Sequence, residues 1–312
     1  MHNRKSKNMV FYYKDIIMNN KPYIALFISI VSVSFAAIFI VSCNAPSLSI
    51  ALYRLLFTTL LILPFAFLHK KTRDELRNLP RSTLLTMVGI GLILAAHFAL
   101  WITSLGLTSV ASSVILVTAH PVLVGPISHF FLKERLSYIN SIGIAISILG
   151  VGILVVGNYG LSTMTLEGNI LAMLGGIAAG FYILGGRKIR KTVSVASYAT
   201  VVYGVGTIAL FIICLFFSAP VHGLSLRDYE IILLMAVTAG IFGHTLYNWS
   251  LGHVRASLAS VVLLGEPLGS TLLAFALPWI HQIPSQYTVV GGGIILTGIY
   301  LTARNTSKTN AS

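Results

Sequence analysis

The sequence predicts an all-α membrane protein, with ten transmembrane helices in two inverted five-helix repeats. Composition, an internal repeat and the spacing of basic residues carry that prediction. Of 312 residues, 56% are hydrophobic and only 9% are charged, giving a mean hydropathy of +0.87. A soluble domain carries roughly 25% charge, so most of this surface must face lipid. The formal net charge of +13 sits in short clusters between apolar runs. That pattern sets orientation in a bilayer and argues against a nucleic-acid-binding surface.

The repeat lies in two 22-residue stretches. Leu100–Pro121 (LWITSLGLTSVASSVILVTAHP) aligns without a gap to Leu246–Pro267 (LYNWSLGHVRASLASVVLLGEP) at an offset of 146. Ser137–Ile153 continues the match to Ser285–Leu301 at an offset of 148, with Gly143 and Gly150 on Gly291 and Gly298. If five spans separate equivalent points, the second copy crosses the membrane in the opposite direction. Inverted repeats are characteristic of secondary transporters, with the site near the midplane between them.

Ten apolar runs are long enough to cross the hydrocarbon core, which takes about 20 helical residues. They are 22–42, 48–68, 84–105, 109–131, 138–157, 167–186, 196–218, 229–251, 255–280 and 285–303. Basic connections alternate with nearly neutral ones. With both termini in the cytoplasm, every Lys and Arg except Arg54 and Arg227 lies inside, as the positive-inside rule requires. The implied organisation is a cytoplasmic tail at 1–21, repeats at 22–157 and 158–303, and a second cytoplasmic tail at 304–312. The location is the plasma or inner membrane. Cys43 and Cys214 are too few for a disulfide framework and read as thiols in apolar surroundings.

Two five-helix units, each ending in a small-residue hairpin and a Gly-rich helix, resemble the drug/metabolite transporter superfamily, specifically its EamA-type members. The residues that carry the likeness are Arg54 in the second span, SLGLTSVASSVILVTAHPV with LKERL at 132–136, and SLGHVRASLASVVLLGEPL in the second half. The resemblance covers about 22–303. It implies ten helices around a central cavity, with spans 5 and 10 peripheral, and export or exchange of small organic solutes such as amino acids or metabolites. Two departures stand out. His120-Pro121 occupies the place of Glu266-Pro267, and His281-Gln282, without an acid, occupies that of Lys133-Glu134-Arg135.

Glu266 is the only carboxylate near the middle of a predicted span, since Glu167 and Glu230 stand at span ends. Placing a charge there costs at least ~3 kcal/mol on insertion scales, so such a residue faces a polar cavity or a partner. It reads either as a site for a substrate amine or a proton, or as half of a helix-locking pair with Arg54. Arg54 is the only basic residue well inside a span. It reads as a substrate-carboxylate ligand or as a side chain snorkelling to the outer interface. His120, together with His97 and Trp101 on one face of span 3 and His244, Tyr247 and Asn248 on span 8, could line an aromatic-walled cavity. The alternative for His97 and Trp101 is helix–helix hydrogen bonding. Pro121 and Pro267 mark corresponding broken helices, a pointer to a transporter site. Pro126 and Pro278 are expected to add a second break to each.

No phosphate loop, HExxH or GxSxG signature is present, so neither an enzyme nor an ATP-driven pump is expected. No cofactor is expected. No metal site is expected either, because no two histidines stand four apart on a helix. The expected partners are a small-molecule substrate, a proton or counter-solute, and the lipid bilayer. The rivals are a membrane-embedded enzyme, and a channel or lipid scramblase.

Overall fold

In the computed structural model, residues 2–108, 113, 116–159, 166–276 and 285–307 are described. Among them the secondary structure is helical throughout, with no strand. Helix α1 (His2–Ser42) carries Pro22 inside it and starts far ahead of the expected boundary at residue 22. Residues 2–21 contain neither Gly nor Pro, so nothing in the backbone stops the helix where the hydrophobic run begins. Then come α2 (Ser47–Leu68), the short polar α3 (Lys70–Arg77) and α4 (Arg81–Ser104). After these lie α5 (Pro121–Phe131), α6 (Tyr138–Tyr159), α7 (Leu166–Ile189) and α8 (Val195–Phe216).

The next span starts as α9 (Leu226–Met235), widens into a π-helical segment (Ala236–Thr245) and ends as α10 (Leu246–Leu251). Beyond it, α11 (Ala256–Val262) tightens into a 3-10 turn (Leu263–Gly265) and resumes as α12 (Glu266–Ala276). The last helix is α13 (Gln286–Ser307).

Six described helices are long and apolar enough to cross a membrane alone: Asn20–Ile40, Ser47–Leu68, Arg81–Ser104, Leu166–Ile189, Val195–Phe216 and Leu226–Leu251. Three further apolar helices, Leu116–Phe131, Tyr138–Leu154 and Ala256–Ser270, are shorter. The first and third of these contain the His-Pro and Glu-Pro sequences, and there the backbone leaves the α form. Ala119 and His120 form a turn ahead of α5, and the 3-10 turn precedes α12. Pro121 and Pro267 sit in the first turn of the helices that follow, where no backbone donor is needed. Pro126 makes no second break, because α5 runs through it. It forfeits a single backbone bond, which a short helix packed on its neighbours can absorb. Pro278 lies outside the described residues.

Two sets of contacts show how the repeats face each other. A Cβ on Gly143 would lie 2.8 Å from the carbonyl oxygen of Gly298, and one on Gly150 would lie 2.8 Å from that of Gly291. By the sequence repeat, Gly143 is equivalent to Gly291 and Gly150 to Gly298. Each contact is therefore the image of the other with partners exchanged, and α6 and α13 pair antiparallel. At the offset of 146, Ser29 corresponds to Gly175 and His97 to Gly243. The Ser29 hydroxyl donates to the carbonyl of Gly243 at 2.9 Å, and His97 Nδ1 meets the carbonyl of Gly175 at 2.9 Å. Small residues thus allow close helix approach in lipid, where dispersion and hydrogen bonds replace the hydrophobic drive.

The polar connections are tied down. Ser194 caps α8, and Ser225 caps α9 by accepting the N–H of Asp228 at 3.1 Å. Glu75 of α3 reaches across to the first cap. Its Oε1 accepts the Ser194 N–H at 2.9 Å, and its Oε2 accepts the hydroxyls of Ser194 and Ser197. Burial pushes the Glu75 carboxyl up, but these hydrogen bonds and the charge of Arg190 outweigh it and hold the group below the usual carboxylate range.

Candidate functional site

A cavity of about 70 Å³ opens between the two halves, several times the space one water needs. Its wall comes from α1, α2, α4, residues 117–120 ahead of α5, α7, the π-helical segment, α10, the 3-10 turn and the start of α12. Arg54, His97, Trp101, His120, His244, Tyr247 and Glu266 all line it. These residues are spread over more than 200 positions of sequence, and folding converges them.

Arg54 is 2% exposed. Its guanidinium carbon sits 4.7 Å above the centre of the Phe98 ring, a cation–π contact. The side chain therefore turns inward and does not reach along α2 to solvent. His244 meets the same Phe98 ring edge-on at 5.4 Å. His97 and Trp101 stack with ring centroids 5.9 Å apart and planes within 6°, as the i,i+4 spacing on α4 allows. The Nδ1 contact of His97 to Gly175 fixes the ring against α7. His97 thus makes a helix–helix hydrogen bond and lines the cavity at once.

Glu266 opens α12 immediately after the 3-10 turn. Among the described residues, the ion pairs within 4.0 Å are Arg187–Glu134 and Lys191–Glu134; Arg54–Glu266 is not one of them. Arg54 and Glu266 therefore face one cavity, guanidinium and carboxyl group, without closing on each other. Around them Arg54 Nη1, Trp101 Nε1, His120 Nδ1 and the Tyr247 hydroxyl are buried without a hydrogen-bond partner. Buried polar groups are paired in the large majority of cases, so four such atoms around one cavity give it unused hydrogen-bonding capacity.

Asn248 stands apart from the other expected residues. It does not line the cavity; its amide donates to the hydroxyls of Tyr182 at 2.5 Å and Tyr203 at 2.9 Å. Adjacent positions on a helix diverge by about 100°, so the narrow cavity takes Tyr247 and Asn248 packs behind the wall. Tyr182 does line it and was not foreseen, nor were Ser29 and Thr118. A signal existed in the small residues of α7: a Cβ on Gly176 would lie 2.8 Å from the carbonyl of Leu116. Gly176, Ala179 and Gly180 bring α7 against the broken helix and so carry Tyr182 to the cavity. On the far side of Arg54, a space of about 10 Å³ is bordered by Thr58, Tyr203 and Gly240, room for about one water.

Comparison with known proteins agrees with this geometry. The uncharacterized transporter YdfC of Bacillus subtilis is 24% identical over 263 residues, 84% of this chain and 83% of that one. An uncharacterized transporter of Archaeoglobus fulgidus is 27% identical over 260 residues, covering 83% and 87%. A solved crystal structure, 17% identical, superposes with a TM-score of 0.75 over 92% of this chain and 98% of its own, which shows the fold. The model of the EamA-like transporter family matches twice, at residues 20–156 and 166–304. With its apolar helices and both of its halves matched, the chain is a multi-pass membrane protein that belongs to the EamA-like transporter family.

Proposed function

We propose that the chain is a secondary transporter that exports or exchanges a small organic solute, an amino acid or a related metabolite, by alternating access. The observation that carries the reading is the cavity itself. A guanidinium and a carboxyl group face it from different halves without a salt bridge between them, and Arg54 Nη1 and three further buried groups around it lack partners. A zwitterion supplies what each lacks: a carboxylate for Arg54 and an ammonium for Glu266. His97, Trp101, His120, His244 and Tyr247 would shape the rest of the site.

On this reading ten spans form two inverted five-helix units at 22–157 and 158–303. Both termini are cytoplasmic, and the basic connections lie inside. The broken helices at His120-Pro121 and Glu266-Pro267 are the moving parts. Energy comes from a proton or counter-solute gradient, with Glu266 as the group whose charge changes. Reconstitution into liposomes tests the reading. Counterflow is screened across amino acids and common metabolites, and saturable, trans-stimulated uptake of at least one is expected. Steady conductance without counterflow would favour a channel or scramblase.

A further inference from the structure

Away from the cavity, one buried carboxylate ties the two halves together. Glu134 lies in the connection between α5 and α6 and is 7% exposed. Its Oε1 accepts Arg187 Nε at 2.6 Å, at the end of α7, and its Oε2 accepts the backbone N–H of Ala256 at 2.8 Å, at the start of α11. Arg187 Nη1 goes on to donate to the carbonyl of Leu251 at 2.8 Å, at the end of α10. Arg255 Nη1 closes the same corner from the other side, donating to the carbonyl of Arg135 at 2.6 Å.

The connection is shaped to present this carboxylate. Lys133 adopts φ 55, a left-handed conformation that a lysine takes only when its surroundings hold it there. The N–H of Glu134 donates to the carbonyl of Ser128 at 3.1 Å, pinning the turn to α5. The elements gripped here are those that line the cavity further along. α7 carries Tyr182, α10 carries Tyr247, and α11 leads through the 3-10 turn to Glu266.

We propose that Glu134 is a latch that holds this basic end of the molecule closed beneath the cavity. At the repeat offset of 148, Lys133-Glu134-Arg135 corresponds to His281-Gln282-Ile283, and residues 277–284 contain no acid. The repeat thus keeps this acid in its first copy alone, and at the opposite end a different carboxylate, Asp228, accepts the N–H of Asn44 at 2.9 Å. The consequence is that breaking the latch favours opening at the basic end, independent of any solute. The inference rests on the alternating-access reading for its meaning, but not for its test.

The test is a distance measurement on the full chain in nanodiscs without solute. Cys43 and Cys214 are replaced by Ser, and spin labels are placed at Tyr138→Cys and His253→Cys, both exposed and outside the network. The unaltered latch should give one narrow short distance. Glu134→Gln and Arg187→Gln should each raise the ratio of long to short distances by at least about tenfold, because a broken buried pair leaves a charge unpaired. Lys191→Gln should leave the distribution unchanged, since Lys191 is 4.0 Å away and its side chain is 43% exposed. An unchanged distribution in monodisperse Glu134→Gln overturns the proposal, as does an equal effect of Lys191→Gln. Should both latch variants misfold, hydrogen exchange in the unaltered protein decides. The Ala256 amide should exchange as slowly as the core of α6, and rapid exchange there overturns the latch. Neither outcome bears on counterflow, so the latch and the transport reading fail separately.

Discussion

At the scale of single residues, Glu266 and Arg54 face one cavity without forming a salt bridge within 4.0 Å. Glu266→Gln keeps the size and removes the charge. It should fold and insert, yet lose transport by at least about tenfold, or keep exchange while losing pH dependence; Glu266→Asp should retain part of the activity. Uptake by proteoliposomes across pH checks this, and unchanged transport and pH dependence in the Gln variant would remove Glu266 from the site. A helix-locking role predicts the opposite pattern: loss of monodisperse protein, rescued by neutralising Arg54 as well.

Glu75 offers a test of stability at the same scale. Its hydrogen bonds hold its pKa below that of an unfolded glutamate, about 4.3. A depressed carboxylate stabilises above the unfolded pKa, and that contribution is lost as pH falls through the folded value. Thermal melts should show Glu75→Gln less stable than the parent at pH 7, with the gap closing below about pH 4. A gap that persists unchanged in acid would contradict the assignment. The charged residues were legible because charge inside an apolar run is expensive and so conspicuous. Tyr182 was not, because a tyrosine in an apolar helix is ordinary, and only the close approach of α7 turns it toward the cavity.

Among the elements, the prolines predicted four interruptions: a turn precedes Pro121 and a 3-10 turn precedes Glu266-Pro267, while α5 runs through Pro126 and Pro278 lies outside the described residues. If these helices move, cysteines at Thr118 and Leu264 should change their thiol reactivity when a transported solute is added. Reactivity indifferent to every solute would leave the prolines as fixed kinks. The π-helical segment at Ala236–Thr245 was not legible. It contains no proline, and a π-helix differs from an α-helix in hydrogen-bond register, not in side-chain pattern.

The glycine faces were legible, since a repeated Gly at matching positions signals close packing. Gly150→Leu puts side-chain atoms where the backbone of Gly291 and Ile295 already stands. It should cost roughly 1–3 kcal/mol or more of packing and reduce the yield of monodisperse protein. Gly152→Leu, on a face with nothing within 4 Å, should behave as the parent does. Size-exclusion profiles compare the two directly.

For the whole molecule, the exchanged contacts Gly143–Gly298 and Gly150–Gly291 express in three dimensions the repeat seen in the sequence. The pairing of halves was readable because both copies kept their glycines and prolines at near-constant offset. Helix ends were less readable, because hydrophobic runs mark where lipid begins and not where a helix stops, as α1 shows. The proposed orientation rests on the basic residues. Reporter fusions at 72, 134, 189 and 307 should report cytoplasm, and those at 45, 162 and 222 the outside. A C-terminus on the outside would break the count of ten spans and the inversion with it.

The central claim is that the cavity between the halves carries a small organic solute across the membrane by alternating access. The direct measurement is counterflow in proteoliposomes loaded with unlabelled solute and supplied with a trace of the labelled form outside. The account predicts transient, saturable accumulation of label for at least one zwitterionic amino acid or related metabolite, sharply reduced in Glu266→Gln. Absence of counterflow across the whole panel, together with non-saturating conductance in a planar bilayer, would contradict it.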